Sequence, residues 1–274
     1  MHRALVVLAS VALSASLAGP VAASTGNPAT LSIALGDSLA WGDGASVPTH
    51  TAYVPRLAGY FRGAAHGGAD RLVNLAIRGE TTGSLIENQL ATAVALIADP
   101  ATDTRVITIS IGGNDLLDLV NDPSDPCIVD MSSATCAGLI GSAMGGVQEN
   151  LATILYTLRS ALAADPGTEK IFVLLLYNPF GIPGNPLAGA GDLLIRGADG
   201  AFDCAALGNP ANIGLDDIVG CTGAAFGAIP VDSYPLFAGR ILELTHMGEG
   251  FNVHPNDDGY AVIAEAHRDA DRGS

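Results

Sequence analysis

Five short apolar runs, rich in β-branched residues, alternate along the chain with stretches of helical periodicity. This alternation constrains the fold more than any other feature. The runs are Leu31–Leu35, Arg71–Ala76, Thr104–Ile111, Lys170–Tyr177 and Ala228–Val231. Strands that alternate with helices form α/β proteins in which helices cover both faces of a parallel sheet. The pattern predicts a three-layer αβα sandwich with a mainly parallel five-stranded sheet.

The segments between these runs predict helices and two irregular stretches. Helical spacing covers Tyr53–Phe61, Ser84–Ile97, Ser142–Ala164, Tyr234–Leu244 and Asp257–Ala270. Within the second segment, Ser84 and Glu87 have the spacing of a capping box, so Ser84 is the predicted N-cap. Residues 121–136 are expected to form a loop, and residues 178–223 an irregular insert with some helix. No composition shift or repeat marks a boundary, so residues 25–270 are predicted to form one domain.

The net charge of the chain excludes some classes of partner. The formal charge is −16, with only 12 Lys and Arg among 274 residues and no basic cluster. Such a chain repels phosphate backbones and anionic membrane surfaces. We therefore expect no nucleic-acid partner.

Residues 1–23 form a predicted secretory signal peptide. Arg3 gives a basic start, Ala4–Leu17 is apolar, and the small residues Val21–Ala23 fit a cleavage site before Ser24. The alternative is an uncleaved membrane anchor, which the short run and its serines disfavour. We therefore expect a secreted, extracellular protein with no stable membrane insertion.

Four cysteines occur as two close pairs, and an even number in an exported chain predicts disulfides. Three pairings are open, and short loops favour Cys127–Cys136 and Cys204–Cys221. Metal binding is the competing interpretation, but the spacings differ from those of zinc sites and no histidine lies near either pair. We expect neither a metal nor a cofactor.

Three of the predicted strands end in polar or glycine-rich turns. These turns are Gly36-Asp37-Ser38, Arg78-Gly79-Glu80 and Gly112-Gly113-Asn114. In a parallel sheet all three open at the carboxyl edge, where α/β proteins bind ligands. A serine becomes a nucleophile when a base lies within reach, and attack on an ester needs donors for the oxyanion. We predict Ser38 as the nucleophile, with its own N–H, the Gly79 N–H and the Asn114 amide as donors.

The base must be a histidine from another part of the chain. Four of the six histidines lie in the signal peptide, in polar loops or in the last predicted helix, which leaves His246 and His254. His254 is favoured because Pro255 and Asn256 place it in a rigid turn before that helix. Each motif alone is more often a helix cap or a tight turn. Their order at successive strand ends is what favours catalysis.

Four blocks of the sequence together resemble the SGNH hydrolases, also called GDSL esterases and lipases. The blocks are Gly36–Leu39, Asn74–Gly79, Gly112–Asp115 and Val253–Asn256, and the likeness extends from about residue 31 to residue 265. The resemblance implies the flavodoxin-like SGNH hydrolase fold, with Ser38 as nucleophile and His254 as base. It also implies that Gly79 and Asn114 are oxyanion donors. The signal peptide and the paired cysteines are most similar to the exported bacterial branch.

One position departs from the family pattern. The last block usually carries an aspartate three residues before the histidine, and this chain has Phe251 there. Such an acid fixes the histidine tautomer and stabilises the imidazolium. Glu249, Asn252 and Asp257 carry oxygen atoms nearby. We expect a main-chain carbonyl near Phe251 to take the role instead.

The function expected from the resemblance is a secreted serine hydrolase that cleaves carboxylic esters through an acyl-enzyme on Ser38. A monomer is expected to bind a small-molecule or lipid ester, with the apolar segment Phe180–Leu187 lining the acyl site. Alternatives with the same chemistry are a carbohydrate O-acetyl esterase, a phospholipase and an acyltransferase. Alternatives of other classes are a secreted, non-catalytic binding protein and a redox or metal protein built on the cysteines.

Overall fold

A computed structural model describes residues 27–120, 124–163, 169–208, 212–250 and 252–274. The predicted signal peptide and Phe251 lie outside the described residues. The sheet contains β1 (Ala29–Gly36), β2 (Arg71–Asn74), β3 (Thr102–Ser110), β4 (Lys170–Leu175) and β5 (Ile229–Asp232). Its order is β2-β1-β3-β4-β5, and every pair is parallel. The predicted five-stranded α/β fold is therefore confirmed, with the flavodoxin-like strand order.

Helices cover both faces of this sheet. They are α1 (Ser38–Trp41), α2 (Pro48–Thr51), α3 (Tyr53–Phe61), α4 (Thr82–Leu85), α5 (Ala91–Ala98), α6 (Gly113–Leu117), α7 (Pro126–Val129), α8 (Ala134–Leu162), α9 (Ala188–Arg196), α10 (Leu215–Ala225), α11 (Tyr234–Phe237), α12 (Ile241–Leu244) and α13 (Asp257–Gly273). A π-helical turn, Ile86–Leu90, joins α4 to α5, and short 3₁₀ turns occur at Ala64–His66, Asp118–Val120, Cys204–Gly208 and Met247–Glu249. Helices α3 and α13 pack together on one face, and α5, α8 and α10 form the other layer.

Burial explains why the strands read as apolar runs. From Leu31 onward β1 is buried along its whole length, as is most of β3 and β4. Central parallel strands are covered on both faces, so both sets of alternating side chains are apolar. The edge strands β2 and β5 are more exposed, and β5 contains Pro230, a residue that sheets tolerate at their edges.

Two predicted helix starts are wrong. Helix α4 begins at Thr82, because Thr81 is the N-cap and Ser84 is the third helical residue; each side chain accepts from the other's backbone N–H. Helix α8 begins at Ala134, inside the segment predicted as a loop. Ser133 Oγ caps it by accepting from the Cys136 N–H at 3.1 Å. The residues of its first turn, Ala134-Thr135-Cys136-Ala137, are small, so they carry no apolar stripe.

Two other segments differ in regularity from the prediction. The insert 178–223 contains α9 and most of α10, and is more regular than expected. The single helix predicted over Tyr234–Leu244 is instead the pair α11 and α12. Gly239, with φ +73°, interrupts it between them.

Both predicted disulfides are present. Cys127–Cys136 joins α7 to the first turn of α8, and Cys204–Cys221 joins a 3₁₀ turn to α10. All four cysteines are therefore bonded, and none offers a thiolate to a metal. Among the described residues, no helix combines the length and the apolar character that crossing a membrane requires.

The carboxyl end of β1 is held by contacts to Gly36. Its N–H donates to Gln89 Oε1 at 2.9 Å, and its carbonyl accepts from Gln89 Nε2 at 2.8 Å and from the Ile77 N–H at 3.0 Å. Gly36 has a φ of +136°, and a Cβ added there would lie 2.1 Å from the Ser110 carbonyl oxygen. Only glycine fits this close approach of two strands.

We expect Gly36→Ala to lower the free energy of unfolding by about 3 kcal/mol or more, because its methyl group overlaps Ser110 and its positive φ is strained. Gly59→Ala is the matched control. Gly59 lies inside α3, and nothing lies within 4 Å of a Cβ added there. Alanine is favoured over glycine in a helix by roughly 0.5–1 kcal/mol. Urea denaturation of both variants measures the difference, and equal stabilities would contradict the steric argument.

Candidate active site

Ser38 and His254 meet at the carboxyl edge of the sheet. Ser38 opens α1 directly after β1, and Asp37 caps that helix by accepting from the Leu39 N–H at 2.9 Å. His254 Nε2 lies 2.8 Å from Ser38 Oγ. The residues predicted as nucleophile and base therefore form a hydrogen-bonded pair.

The turn that carries His254 is fixed by contacts on several sides. The Tyr177 hydroxyl, just after β4, donates to the Val253 carbonyl at 2.6 Å. The His246 N–H donates to the His254 carbonyl at 3.0 Å. On the C-terminal side, the side chain of Asn256 caps α13. These contacts hold the imidazole against the end of β1.

The side chain of Asn252 orients the imidazole. Asn252 Oδ1 lies 2.7 Å from His254 Nδ1 and 3.1 Å from the His254 backbone nitrogen. A main-chain N–H can only donate, so the amide atom that faces it is the oxygen. Nδ1 therefore carries the proton, and Nε2 accepts from the Ser38 hydroxyl.

This contact corrects the expected partner of His254. The atom placed at Nδ1 is an Asn252 side-chain oxygen, whereas a main-chain carbonyl near Phe251 was expected. Asparagine often bonds to the backbone two residues ahead, and that Asx turn brings its oxygen next to the imidazole.

The other candidate base, His246, is engaged elsewhere. Its Nε2 lies 2.8 Å from the Gly44 carbonyl oxygen, and its Nδ1 lies 3.0 Å from Glu249 Oε2. The Gly44 carbonyl raises the pKa of His246, and Glu249 adds to the effect. His246 therefore ties the loop after α1 to the segment before His254.

Burial shifts the pKa values of His254 and Asp37 so that the neutral form of each is favoured. It lowers the pKa of His254, against the opposing effect of Asp43, and so favours the neutral imidazole, the form that can accept a proton. Burial also raises the pKa of Asp37 to about 7. A fully ionised Asp37 beside Ser38 would oppose an oxyanion that forms there.

The predicted donors lie at the neighbouring strand ends. Asn114, in α6 after β3, donates from Nδ2 to the Glu80 carbonyl at 2.8 Å. Its amide has a second N–H, which remains for a ligand. Gly79 precedes Glu80 and has a φ of +76°, with nothing within 4 Å of an added Cβ. The structure thus brings Asn114 beside the turn that contains Gly79, at the sheet position where the strand order reverses.

A cavity of about 720 Å³ opens beside Ser38 and His254. Ser38, Asn114 and His254 lie in its wall; Gly79 lies outside it, in the adjacent turn. Most of the wall is apolar and includes Leu116, Val120, Ile128, Met131, Leu176 and Leu194. Phe180 and Leu187 also line it, so the segment expected at the acyl site borders the cavity.

Residues 34–262 match the model of the GDSL-like lipase/acylhydrolase family. The chain belongs to this family. The match spans all four motif blocks, and the family's chemistry makes the protein a carboxylic ester hydrolase. No curated protein sequence matches the chain.

Several solved lipase structures share the fold of this GDSL-like hydrolase. The lipase Lip_vut3 from a goat rumen metagenome has a TM-score of 0.62 at 22% identity, covering 88% of this chain and 97% of its own. Phospholipase A1 from Streptomyces albidoflavus NA297 has a TM-score of 0.58 at 19% identity, covering 88% and 99%. The extracellular lipase from Streptomyces rimosus has a TM-score of 0.57 at 21% identity, covering 88% and 100%. At these identities the likeness establishes the fold.

Sequence reasoning named Asn252 near His254 without giving it a role, and it missed Gln89 and Asp43, which also shape the site of this GDSL-like hydrolase. Asn252 had a local signal, because its spacing from His254 permits an Asx turn. Gln89 had none, because it reaches Gly36 only through the π-helical turn. Asp43, whose Oδ2 lies 3.9 Å from His254 Nε2, is placed by the fold of the loop after α1.

Proposed function

We propose that this protein hydrolyses carboxylic esters through an acyl-enzyme on Ser38, with His254 as the general base. The observation that carries the proposal is the 2.8 Å contact between Ser38 Oγ and His254 Nε2 in the wall of an apolar cavity. A serine hydroxyl becomes nucleophilic when a neutral imidazole accepts its proton during attack.

The reaction proceeds in two halves. Ser38 Oγ attacks the ester carbonyl while His254 Nε2 takes the hydroxyl proton, and the imidazolium then protonates the departing alcohol. In the second half a water molecule gives a proton to His254 Nε2 as its oxygen attacks the acyl carbon. The imidazolium then gives that proton to Ser38 Oγ as the bond from Oγ to the acyl carbon breaks and the acid leaves.

Three donors stabilise the oxyanion of each half in this scheme. They are the N–H groups of Ser38 and Gly79 and the second N–H of the Asn114 amide. Support comes from the place of Ser38 as the first residue of α1, where a backbone N–H has no partner within the helix, and from the contact of Asn114 with the Gly79–Glu80 turn. Donors already oriented towards the developing charge need no reorganisation.

The cavity favours esters with an extended acyl chain. Its volume of about 720 Å³ and its apolar wall suit a flexible hydrocarbon, and Ser38 at this wall meets the carbonyl. Structural neighbours include lipases and a phospholipase A1. The apolar wall offers few polar groups to a sugar, so we place a carbohydrate O-acetyl ester second.

We expect Ser38→Ala to reduce the hydrolysis of p-nitrophenyl esters by about 10⁴-fold or more, because the attacking oxygen is removed. A fluorophosphonate probe should label the wild type and leave the variant unlabelled, with circular dichroism showing that both are folded. Retained turnover in folded Ser38→Ala would contradict the nucleophile assignment. An unlabelled wild type would favour a binding protein.

Ala190 lines the cavity, and its replacement by phenylalanine fills part of the space. We therefore expect Ala190→Phe to lower kcat/KM for octanoate esters about tenfold or more, while acetate hydrolysis changes little. Leu193→Phe is the control, because Leu193 lies on the same helix and is 52% exposed. A series of p-nitrophenyl esters from acetate to palmitate measures the effect. Equal losses for acetate and octanoate would contradict an acyl-binding cavity.

We also propose that the protein is exported. The basic start, apolar run and small residues of the first 23 positions support this, and two disulfides suit an oxidising compartment. Expression of the full chain in a secreting host should yield protein in the medium that begins near Ser24. N-terminal sequencing checks this, and an intact Met1 in cell-associated protein would contradict it.

A further inference from the structure

The Nδ1 side of His254 lacks the charge that a triad aspartate supplies. Asn252 Oδ1 accepts a hydrogen bond from the Nδ1–H of His254 at 2.7 Å, but this oxygen belongs to a neutral amide. In the serine-protease template one carboxylate both orients the imidazole and stabilises the imidazolium. An amide at this position performs the first task alone.

A carboxylate lies on the other side of the ring. Asp43 Oδ2 is 3.9 Å from His254 Nε2. The Asp43 N–H donates to the Ser38 carbonyl at 2.9 Å, and the Asp43 carbonyl accepts from the Tyr260 hydroxyl at 2.6 Å, so the backbone of Asp43 is fixed beside the nucleophile. At 3.9 Å the carboxylate is too far to hydrogen-bond to Nε2, and it leaves that nitrogen to Ser38. Its effect on the ring is through charge.

We propose that two residues divide the work of the absent aspartate: Asn252 orients His254 through Nδ1, and Asp43 stabilises its protonated form from the Nε2 side. The inference rests on the proposed chemistry of Ser38 and His254. Asn252 and Asp43 are positioning and electrostatic residues, and neither exchanges a proton with the substrate.

The other charged groups around the ring give the proposal its direction. Burial lowers the pKa of His254 most, Arg78 and His246 lower it further, and Asp43 raises it. His246 itself contacts Glu249 through its Nδ1 atom. Within the described residues, Asp43 is thus the facing group that favours the imidazolium.

Arg78 holds the Asp43 carboxylate in place. Its guanidinium donates to Asp43 Oδ1 at 2.6 Å and lies 3.8 Å from the centre of the Trp41 ring. This contact leaves Oδ2 directed at His254 and offsets part of the negative charge.

The test is the pH dependence of kcat/KM for a p-nitrophenyl ester, whose acid limb reports the pKa of the base in the free enzyme. Asp43→Asn should move the acid limb to lower pH and lower the plateau about tenfold. Asn252→Asp should move the limb to higher pH, because a carboxylate then touches Nδ1. Asp258→Asn loses the same charge on the exposed first turn of α13, and its profile should match that of the wild type.

The double variant Asp43→Asn/Asn252→Asp should recover most of the lost plateau, because one carboxylate then does both tasks. Asn252→Leu, which keeps the volume and removes the acceptor, should lower the plateau about tenfold or more. An unchanged profile in folded Asp43→Asn, or full activity in Asn252→Leu, would overturn the proposal.

Two further variants keep the test decisive. Should Asp43→Asn not fold, Asp43→Ser removes the same charge and should move the acid limb to lower pH; an unmoved limb, or one at higher pH, would overturn the role of Asp43. Ser38→Ala distinguishes a failure of the proposed function from a failure of the division of tasks between Asn252 and Asp43. Turnover in that variant would remove the proposed function, whereas its inactivity together with unchanged Asp43→Asn removes only the division of tasks.

Discussion

Three strand ends meet at one glycine, and the geometry of the site depends on that junction. Gly36 is hydrogen-bonded to Gln89 on both its N–H and its carbonyl, it accepts from Ile77, and its α-carbon faces the Ser110 carbonyl. Ile77 stands two residues before Gly79, and Ser110 four residues before Asn114. One close backbone approach, open only to a residue without a side chain, therefore sets Ser38 and the two neighbouring turns relative to one another.

The local signals of the sequence predicted the sheet and the turns, because β-branched runs and glycine turns are properties of neighbouring residues. Helix α10 was not predicted, because its glycines resemble those of a loop. In the folded chain a Cβ at Gly220 would lie 2.5 Å from the Phe202 ring, and one at Gly223 would lie 2.6 Å from Val173. These glycines let α10 approach its neighbours closely. The placements of Gln89 and Asp43 depend likewise on tertiary contacts, which periodicity does not encode.

The resting site keeps its charges low. Burial shifts the pKa of His254 downward and that of Asp37 upward, so the neutral form of each gains population. In the proposed mechanism, charge separation then arises chiefly when Ser38 attacks the ester. The amide of Asn114, held by the Glu80 carbonyl, is already in place at that moment. A preorganised site of this kind avoids the cost of reorienting water around new charges.

The walls of the cavity and the reacting groups come from different parts of the chain. Ser38 and Asn114 lie in the turns that follow β1 and β3. Much of the wall instead belongs to the β3–α8 connection, with Ile128 and Met131, and to residues 179–195 after β4. The Cys127–Cys136 disulfide braces the first of these connections. Under the proposed function the molecule is therefore modular: its reactive centre belongs to the sheet, and its selectivity belongs to two connections. Exchange of those two connections, by natural variation or by protein engineering, would then change the substrate while Ser38 and Asn114 stay in place.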